Sequence, residues 1–354
     1  MPHQLLTALP HDPLLDLAPW VGQRQATFQF HLFNGVSGVE LGEIHPLRGA
    51  TLTHDTTRVI KRQLNLSLGV ADTATVNTLT DRMRLSMVFP NGASYPLGVY
   101  MFTDASREQY TSGQLGTMAL GDEMFLVDQQ ITAGVSGVGL ATTNIIRAIL
   151  QGLPIRYEME PSPFQAMEAW GSGTSRGQVL EQLSITGDYF SPWFDNNGVM
   201  RFIRTFDPAS RLPDFDFDAH NRVIREPIIL TDDLILAPNR FVVNSNSSGD
   251  TSLEVTATAD VPPTAPHSVA QRGFVVASVQ NIPLFDVSQA TAVAQGLARR
   301  KTVFERVQLT TPPDPRHDSY NVIRWQGSKW LEIGWSMALT AGGAMSHLLR
   351  KVYE

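Results

Sequence analysis

The sequence predicts a mainly β protein with an α/β insert (α+β), in which two β-barrel-like domains flank a small α/β domain. Residues 25–130 and 221–354 are mostly short segments of alternating polarity between turn signals, as strands are. Between them, glycine-rich loops lead into segments with helical spacing. With 354 residues, 42% of them hydrophobic and 17% charged, the chain is globular and long enough for several cores.

The first 24 residues predict an extended amino-terminal arm. Four prolines in "MPHQLLTALPHDPLLDLAPW" disfavour a helix. Leu5, Leu14 and Trp20 need a cover, on this chain or on a neighbouring one. The segment lacks the positive start and unbroken apolar core of a signal peptide, and no apolar run is long enough to span a membrane.

The first β-barrel domain, residues 25–130, contains a clear hairpin signal. In "DRMRLSMVFPNGASYPLGVYMFTD" the dipeptide Asn91-Gly92 predicts the turn. Met83, Leu85 and Met87 alternate with polar residues, so we expect them to face the core.

The α/β domain, residues 131–220, is predicted to contain two helices. The first follows "GVSGVG" and places Ile145, Ala148 and Ile149 on one face. No G-K-[ST] follows these glycines, so a helix-entry loop is favoured over a phosphate-binding loop. The second helix begins at a capping box, Ser175 with Gln178.

The stretch "YFSPWFDNNGVMRFIRTFDP", residues 189–208, predicts a hairpin. Asn197 and Gly198 fit a type I′ turn, which needs two residues with positive φ. Two alternatives stay open: an aromatic sugar-binding platform of Trp193 and Phe194, or a hydrolytic site at Asp195.

The second β-barrel domain, residues 221–354, is predicted to contain one helix, 288–301, capped by Ser288. Arg299, Arg300 and Lys301 lie at its carboxyl end, where the helix dipole favours cations. Further on, Trp325, Trp330 and Trp335 recur every five residues. An odd spacing alternates between the faces of a strand, which favours core or subunit contacts over one stacking platform.

Composition and motifs exclude several function classes. The chain has no cysteine, so disulfides, thiolate metal sites and cysteine nucleophiles are excluded. A net charge of −7 argues against a nucleic-acid coat, which needs a basic face. There is no G-x-S-x-G, H-E-x-x-H or phosphate-loop motif.

Two clusters have the residue types of a ligand or catalytic site. The first is "DFDFDAH", with side chains that would line one face of a strand and could bind Ca²⁺ or Mg²⁺: Asp214, Asp216, Asp218 and His220. Ala219 and Arg225 break the calcium-loop template, so a solvated strand face is favoured. The second is Asp314, His317 and Asp318, in a proline-rich loop without a nucleophile. The sequence therefore assigns no catalytic, cofactor-binding or metal-binding residue and no cofactor.

Several sequence segments, in order along residues 25–345, resemble segments of the baseplate hub, or tail tip, proteins of long-tailed bacteriophages. They are "PLGVYMFTD", "ATTNIIRAIL", "VLEQLSITGDYFSPWFDNNGVMRF", "APNRFVV", "HSVAQRGF", "SQATAVAQGLARRK" and "TPPDPRHDSYNVIRW". These segments are most similar to those of minor tail proteins of actinobacterial phages.

The resemblance implies a structural, non-enzymatic protein. It implies a homotrimer around the tail axis, assembled in the bacterial cytoplasm and carried in the virion at the tail tip. The expected partners are the distal tail or tube protein, the tape-measure protein, and a spike, fibre or other minor tail protein. DNA would pass through the ring without specific binding, and no stable membrane insertion is expected. A carbohydrate- or receptor-binding tail protein and, less favoured, a cell-wall polysaccharide depolymerase remain as alternatives.

Overall fold

The structure is a computed structural model, and it describes residues 26–353 except 48, 112, 219–223, 247–253 and 285. The amino-terminal arm, residues 1–24, and His220 lie outside the described residues. Within the described part, the mainly β class with an α/β insert is confirmed.

Strands dominate the chain at both ends. In chain order they are β1 (Thr27–Asn34), β2 (Glu40–Ile44), β3 (Ala50–Asp55), β4 (Arg62–Leu68), β5 (Asp81–Val88), β6 (Ser94–Tyr110), β7 (Gly113–Asp122), β8 (Val135–Ser136), β9 (Leu140–Ala141), β10 (Arg156–Met159), β11 (Gln165–Ala166), β12 (Ala169–Trp170), β13 (Trp193–Phe194), β14 (Val199–Phe202), β15 (Phe215–Asp216), β16 (Arg225–Asp232), β17 (Arg240–Asn246), β18 (Glu254–Asp260), β19 (Ala277–Asn281), β20 (Glu305–Thr311), β21 (Val322–Trp325), β22 (Ser328–Leu339) and β23 (Met345–Lys351). The helices are α1 (Val70–Thr75), α2 (Met124–Val127), α3 (Thr142–Leu150), α4 (Arg176–Thr186), α5 (Val269–Arg272) and α6 (Val287–Lys301).

A 13-stranded sheet, curled like half a barrel, forms the body of the molecule. Eleven of its strands lie side by side in the order β16-β20-β23-β22-β3-β4-β7-β6-β5-β1-β2, and each neighbouring pair is antiparallel. Strands β15 and β21 extend it beside β22. Strands β16 and β2 are therefore the two ends of this path.

The pairing of β3 with β22 joins the two β-regions into one sheet, which the sequence did not predict. Gly334–Leu339 run antiparallel to Ala50–Asp55. The core of the first β-region, around Leu52 and Leu64, accordingly includes Trp335 and Met337 from the second. The two predicted β-domains share one sheet and one core at this pairing. The domain boundaries given above therefore stay predictions.

The β5–β6 hairpin forms as predicted. Gly92 has a φ of +83°, and the Phe89 amide donates to Ala93 across the turn at 2.9 Å. Met83, Leu85 and Met87 are all buried. Period-two alternation therefore located this part of the core from sequence alone.

The insert has the two helices expected of it, with one error on the apolar face of α3. Ile145 and Ile149 are buried as predicted, but Ala148 is exposed, and Ile146 and Leu150 complete the face instead. The larger isoleucine and leucine side chains bury more apolar area than alanine, which decides the rotation of the helix. At α4 the Ser175 hydroxyl accepts from the Gln178 amide at 3.1 Å, which confirms the predicted cap.

The hairpin at residues 189–208 is confirmed, but its turn type is not. Trp193 pairs with Arg201, and the Gly198 amide donates to Asp195 carbonyl at 3.0 Å. Gly198 has a φ of +68°, whereas Asn197 is not among the residues with positive φ. The prediction of a type I′ turn is therefore wrong: a type I turn followed by a left-handed glycine closes a three-residue loop.

The second β-region contains a smaller sheet, β18-β17-β19, against which α6 packs. The predicted cap is wrong by two residues, because the Asp286 carboxylate accepts from the Gln289 amide at 2.7 Å and Ser288 lies inside the first turn. An aspartate caps as well as a serine, and the earlier one lets the helix begin two residues sooner in the chain. The short helix α5 is an addition to the one helix predicted here.

The three tryptophans are core residues, as predicted. Trp325 and Trp330 lie 5.6 Å apart on the β21–β22 hairpin in one core, whereas Trp335 belongs to the core of the first β-region. A register shift between Glu332 and Gly334 accompanies the change of core.

Candidate functional site

A buried polar junction joins the three regions of the chain. Arg62, on β4, donates from Nη2 to Asp318 Oδ1 at 2.7 Å and from Nη1 to Asn196 Oδ1 at 2.5 Å. The Arg62 side chain is 1% exposed. Its partners come from the insert and from the β20–β21 loop, so one guanidinium fixes three segments that are distant in sequence.

Trp193 belongs to this junction rather than to a binding platform. Its indole Nε1 donates to Asp318 Oδ1 at 3.0 Å, and its ring meets Tyr320 edge-on at 5.4 Å between centroids. Trp193 is 4% exposed and Phe194 2%. These two aromatic side chains therefore offer no surface on which a sugar could stack. Trp193 and Phe194 do not form the sugar-binding platform that the sequence left open. We call Arg62, Trp193, Asn196 and Asp318 the junction.

The Asp195 carboxylate accepts hydrogen bonds from its own hairpin. Oδ1 accepts from the Asn197 and Val199 amides at 2.8 and 2.9 Å, while Oδ2 accepts from Arg201 Nε at 2.7 Å. Because both oxygens of the carboxylate accept hydrogen bonds within the hairpin, Asp195 stabilises the hairpin. The carboxylates near it are engaged as well, since Glu158 shares Arg201 with Asp195 and Asp318 pairs with Arg62.

The aspartates of "DFDFDAH" lie on and beside strand β15, which is only two residues long. Arg324 pairs with two of them, Asp216 and Asp218. Asp214 accepts from the Val322 amide at 2.7 Å, and Asp218 accepts from the Gly327 amide at 2.8 Å. Asp216 lies 3.6 Å from Arg324. The three acids remain partly exposed, and Asp214 and Asp218 also bind backbone amides of β21 and the turn after it.

His317, Glu332 and His347 form a buried cluster that the sequence only partly indicated. His317 Nδ1 lies 2.8 Å from Glu332 Oε2, and His347 Nδ1 lies 2.6 Å from Glu332 Oε1. Phe215 stacks on His317 at 3.9 Å. Among the described residues, these three form the one group whose possible ligand atoms all lie within 4.8 Å of one another.

Two hydrogen bonds through opposite oxygens of one carboxylate account for this cluster without a metal. Burial lowers the pKa of His317, but the carboxylate of Glu332 outweighs it and the net shift is upward. Burial also lowers the pKa of His347, and the neighbouring His317 lowers it further. The arrangement fits one imidazolium and one neutral imidazole sharing a carboxylate. Sequence reasoning missed Glu332 and His347 because they lie on separate strands with no local motif.

One face of the sheet is covered mainly by hydroxyl and amide side chains. Ser336, Thr53 and Gln63 follow one another across three adjacent strands in register. The other half-buried or exposed members on β3, β4, β7, β20 and β23 are Thr51, Asn65, Ser67, Thr117, Gln308, Thr310 and Ser346. Charged side chains such as Asp55 and Arg306 lie at the strand ends. We call this surface the neutral face; a hollow of about 420 Å³ lies on it, with Arg58 and Lys61 at its border, and Arg58 donates to Gln63 at 2.8 Å.

The edge strand β16 and its surroundings carry a contiguous set of exposed apolar side chains. Arg272 connects them, because its guanidinium donates to the carbonyl of Leu234 and lies 4.5 Å from the Phe274 ring. Each member is about half exposed or more, Leu236 reaching 74%. This edge patch consists of Ile229, Leu230, Leu234, Ile235, Leu236 and Phe274. Large exposed apolar patches mark association surfaces in soluble proteins.

The fold is that of known phage tail proteins. The tail protein from Neisseria meningitidis MC58 matches with a TM-score of 0.62 at 9% identity, over 92% of this chain and 96% of that one. Prophage tail protein gp18 from Listeria monocytogenes EGD-e matches with a TM-score of 0.58 at 7% identity, over 91% and 94%. The prophage MuSo2 43 kDa tail protein from Shewanella oneidensis matches with 0.56 at 10% identity, over 92% and 98%.

The sequence comparisons assign the chain to no family. No family model matches the chain, and no curated protein matches it either. In the described part of the chain, none of the helices has the length and apolar character that crossing a membrane requires.

Proposed function

We propose that the protein is a structural component of a phage tail tip: a trimeric baseplate hub that joins the tail tube or distal tail ring to the central spike or fibres. It forms part of the DNA ejection channel, resides in the virion and assembles in the host cytoplasm. Its partners are two further copies of itself, the distal tail or tube protein, the tape-measure protein, and other minor tail proteins. We further propose that it is most similar to the minor tail proteins of actinobacterial phages.

The neutral face is the observation that carries the proposal. A channel for DNA must not retain phosphates, and a lysine or arginine on its wall would bind them. Thr53, Gln63 and Ser336 instead present weak, uncharged hydroxyl and amide groups, and Arg58 at the border of this face is paired with Asp55 at 3.3 Å. The net charge of −7 acts in the same direction.

The pairing of β3 with β22 supports the threefold arrangement. It sets two β-regions of one chain side by side in a single sheet. Three copies around one axis would then present six β-regions to a sixfold tube. The edge patch at β16 supplies an apolar contact between neighbours, since a ring needs heterologous interfaces.

A reconstruction of the intact tail tip tests this proposal. We expect three copies of the chain around the axis, with the neutral face turned toward the lumen. Six copies in the ring, or copies away from the axis, would contradict the hub assignment.

A lysine substitution tests the lumen directly. Phage that carry Ser336→Lys together with Thr53→Lys should assemble but eject DNA more slowly, because each added cation contacts passing phosphates. Ser94→Lys, at an exposed strand start, is the control. Unchanged ejection by the double variant would remove the neutral face from the channel wall.

The protein is proposed to be non-enzymatic. Asp195 and His317, the candidates that sequence offered, are bonded within the fold. Alanine at either position should leave hydrolysis of cell-wall polysaccharide at the background rate. Reproducible turnover that disappears in one of these variants would favour the depolymerase alternative.

A further inference from the structure

A cavity of about 320 Å³ lies where the first β-region, the insert and the second β-region meet. Arg58, Val59, Leu180, Ser191 and Tyr320 are among the residues that line it. Its volume is within the range of small-ligand sites. The wall is largely apolar, and it includes Met124, Pro192, Leu331 and Ile333.

The charged groups of this cavity are unbalanced. Arg58, Arg300 and Lys301 line it, and Glu181 is the one acid among the lining residues, while Asp55 pairs with Arg58 from outside the cavity at 3.3 Å. The carboxyl-terminal dipole of α6 offsets part of this charge at Arg300 and Lys301. The remaining field is positive.

Arg300 is half-buried and has no ion-pair partner among the described residues. Nη1 donates to the Tyr189 carbonyl at 2.8 Å, while Nε is buried without a hydrogen-bond acceptor. No carboxylate of the described chain lies within ion-pairing distance of it. Burial lowers the pKa of Arg300, and Glu181, Tyr320 and Asp188 offset this only in part.

The same deficit extends to a second cation behind the cavity wall. Lys61 is 2% exposed, and its Nζ donates to the Arg58 carbonyl at 3.0 Å and to Ser191 Oγ at 2.7 Å. Neither acceptor carries a charge. Buried cations are ordinarily paired, so Lys61 and the partly buried Arg300, neither with a carboxylate within ion-pairing distance, favour an anion at this cavity.

We propose that this cavity binds a carboxylate with an apolar stem, the carboxylate pairing with Arg300 and Lys301 and the stem packing on the apolar wall. The carboxyl terminus of a protein chain and a free apolar acid share this chemistry. The site is independent of the proposed role in the tail, because it depends on the interior of one chain.

Binding of hexanoate to the full chain tests the proposal, with hexanamide as the uncharged isostere. We expect hexanoate, but not hexanamide, to raise the melting temperature and to give a saturable isotherm. Arg300→Gln should weaken the binding of hexanoate at least tenfold, and Arg300→Lys should restore part of it. Arg299→Gln is the matched control, because Arg299 is the adjacent arginine of α6 and lines a different cavity.

A second pair of probes separates the two sources of the carboxylate. Tighter binding of acetyl-Gly-Leu than of both its amide and hexanoate would identify a chain terminus, whereas tighter binding of hexanoate would identify a free acid. If Arg300→Gln fails to fold, Lys301→Gln, on an exposed residue, should still weaken binding. Equal binding of hexanoate and hexanamide, no binding of either acid, or unchanged binding by the folded variants would overturn the proposal.

Discussion

The junction and the edge patch differ in exposure and in pairing: the junction is mostly buried and hydrogen-bonded, and the edge patch is exposed and apolar. At the junction, Arg62 is 1% exposed and bonded to two partners from distant segments. At the edge patch, Leu236 is 74% exposed and belongs to a group of apolar residues that no described part of the chain covers. The first arrangement is complete within one molecule, while the second gains from a neighbouring molecule. Substitutions should therefore affect folding at the junction and assembly at the patch.

The largest effect is expected from Asp318→Ala. It leaves the Arg62 guanidinium and the Trp193 indole without their acceptor, and loss of one partner of a buried ion pair costs about 3–5 kcal/mol. Because the Asp318 side chain is 26% exposed, we expect the lower end of that range. Urea unfolding measures the change in the free energy of unfolding.

Glu40→Ala is the matched control for the junction. Glu40 pairs with Arg84 at 2.8 Å, but both side chains are about half exposed. Such pairs contribute less than about 1 kcal/mol. Equal losses in Asp318→Ala and Glu40→Ala would mean that the junction does not fasten the three regions.

Gly198→Val should have the next largest effect. It places a β-branched residue at a φ of +68°, which costs about 1–3 kcal/mol, and it should lower the urea midpoint accordingly. Gly171→Val is the control, because Gly171 lacks a positive φ and its added Cβ would meet no atom within 4 Å. A variant at Gly198 as stable as the one at Gly171 would show that the turn tolerates a side chain.

The pH dependence of stability tests the buried cations around the junction. Burial lowers the pKa of His54 well below its usual value, and Arg62 and Lys61 lower it further. The folded pKa is therefore below the unfolded one. Stabilisation by neutral His54 is complete above about pH 6.5 and is lost as the pH falls, by at most about 1.4 kcal/mol per pH unit.

His54→Gln removes this term. The difference in the free energy of unfolding between the parent and His54→Gln should shrink between about pH 7.5 and about pH 5.5. Urea unfolding across that range measures it. A difference that stays constant, or grows toward low pH, would contradict the assignment of a neutral His54 bonded to Ser319 Oγ at 2.8 Å.

Leu236→Asp should have the smallest effect on folding and the clearest effect on assembly. An exposed position contributes within about 0.5 kcal/mol to stability, whereas a carboxylate in an apolar interface must be desolvated. We expect unchanged urea unfolding and fewer hub rings in tail-tip assemblies. Leu79→Asp, at 93% exposure outside the patch, is the control. Equal assembly by both variants would remove the patch from the interface.

The sequence by itself determined the elements and their buried faces. Alternation placed Met83, Leu85 and Met87 inward, and Ser175 fixed the start of α4. These features depend on neighbours within a few residues, so a local pattern is sufficient to predict them. Where two local signals competed, as with Ser288 and Asp286, the pattern chose the wrong residue.

Only the tertiary structure decided the pairing of β3 with β22, the junction and the cluster around Glu332. Arg62 and Asp318 are 256 positions apart, and nothing near either residue in the chain specifies the other. A buried ion pair requires two segments to arrive at the same place with their charges matched, and that condition is set by the packing of the whole chain. The sequence therefore determined which side chains turn inward, and the tertiary structure determined which of them meet.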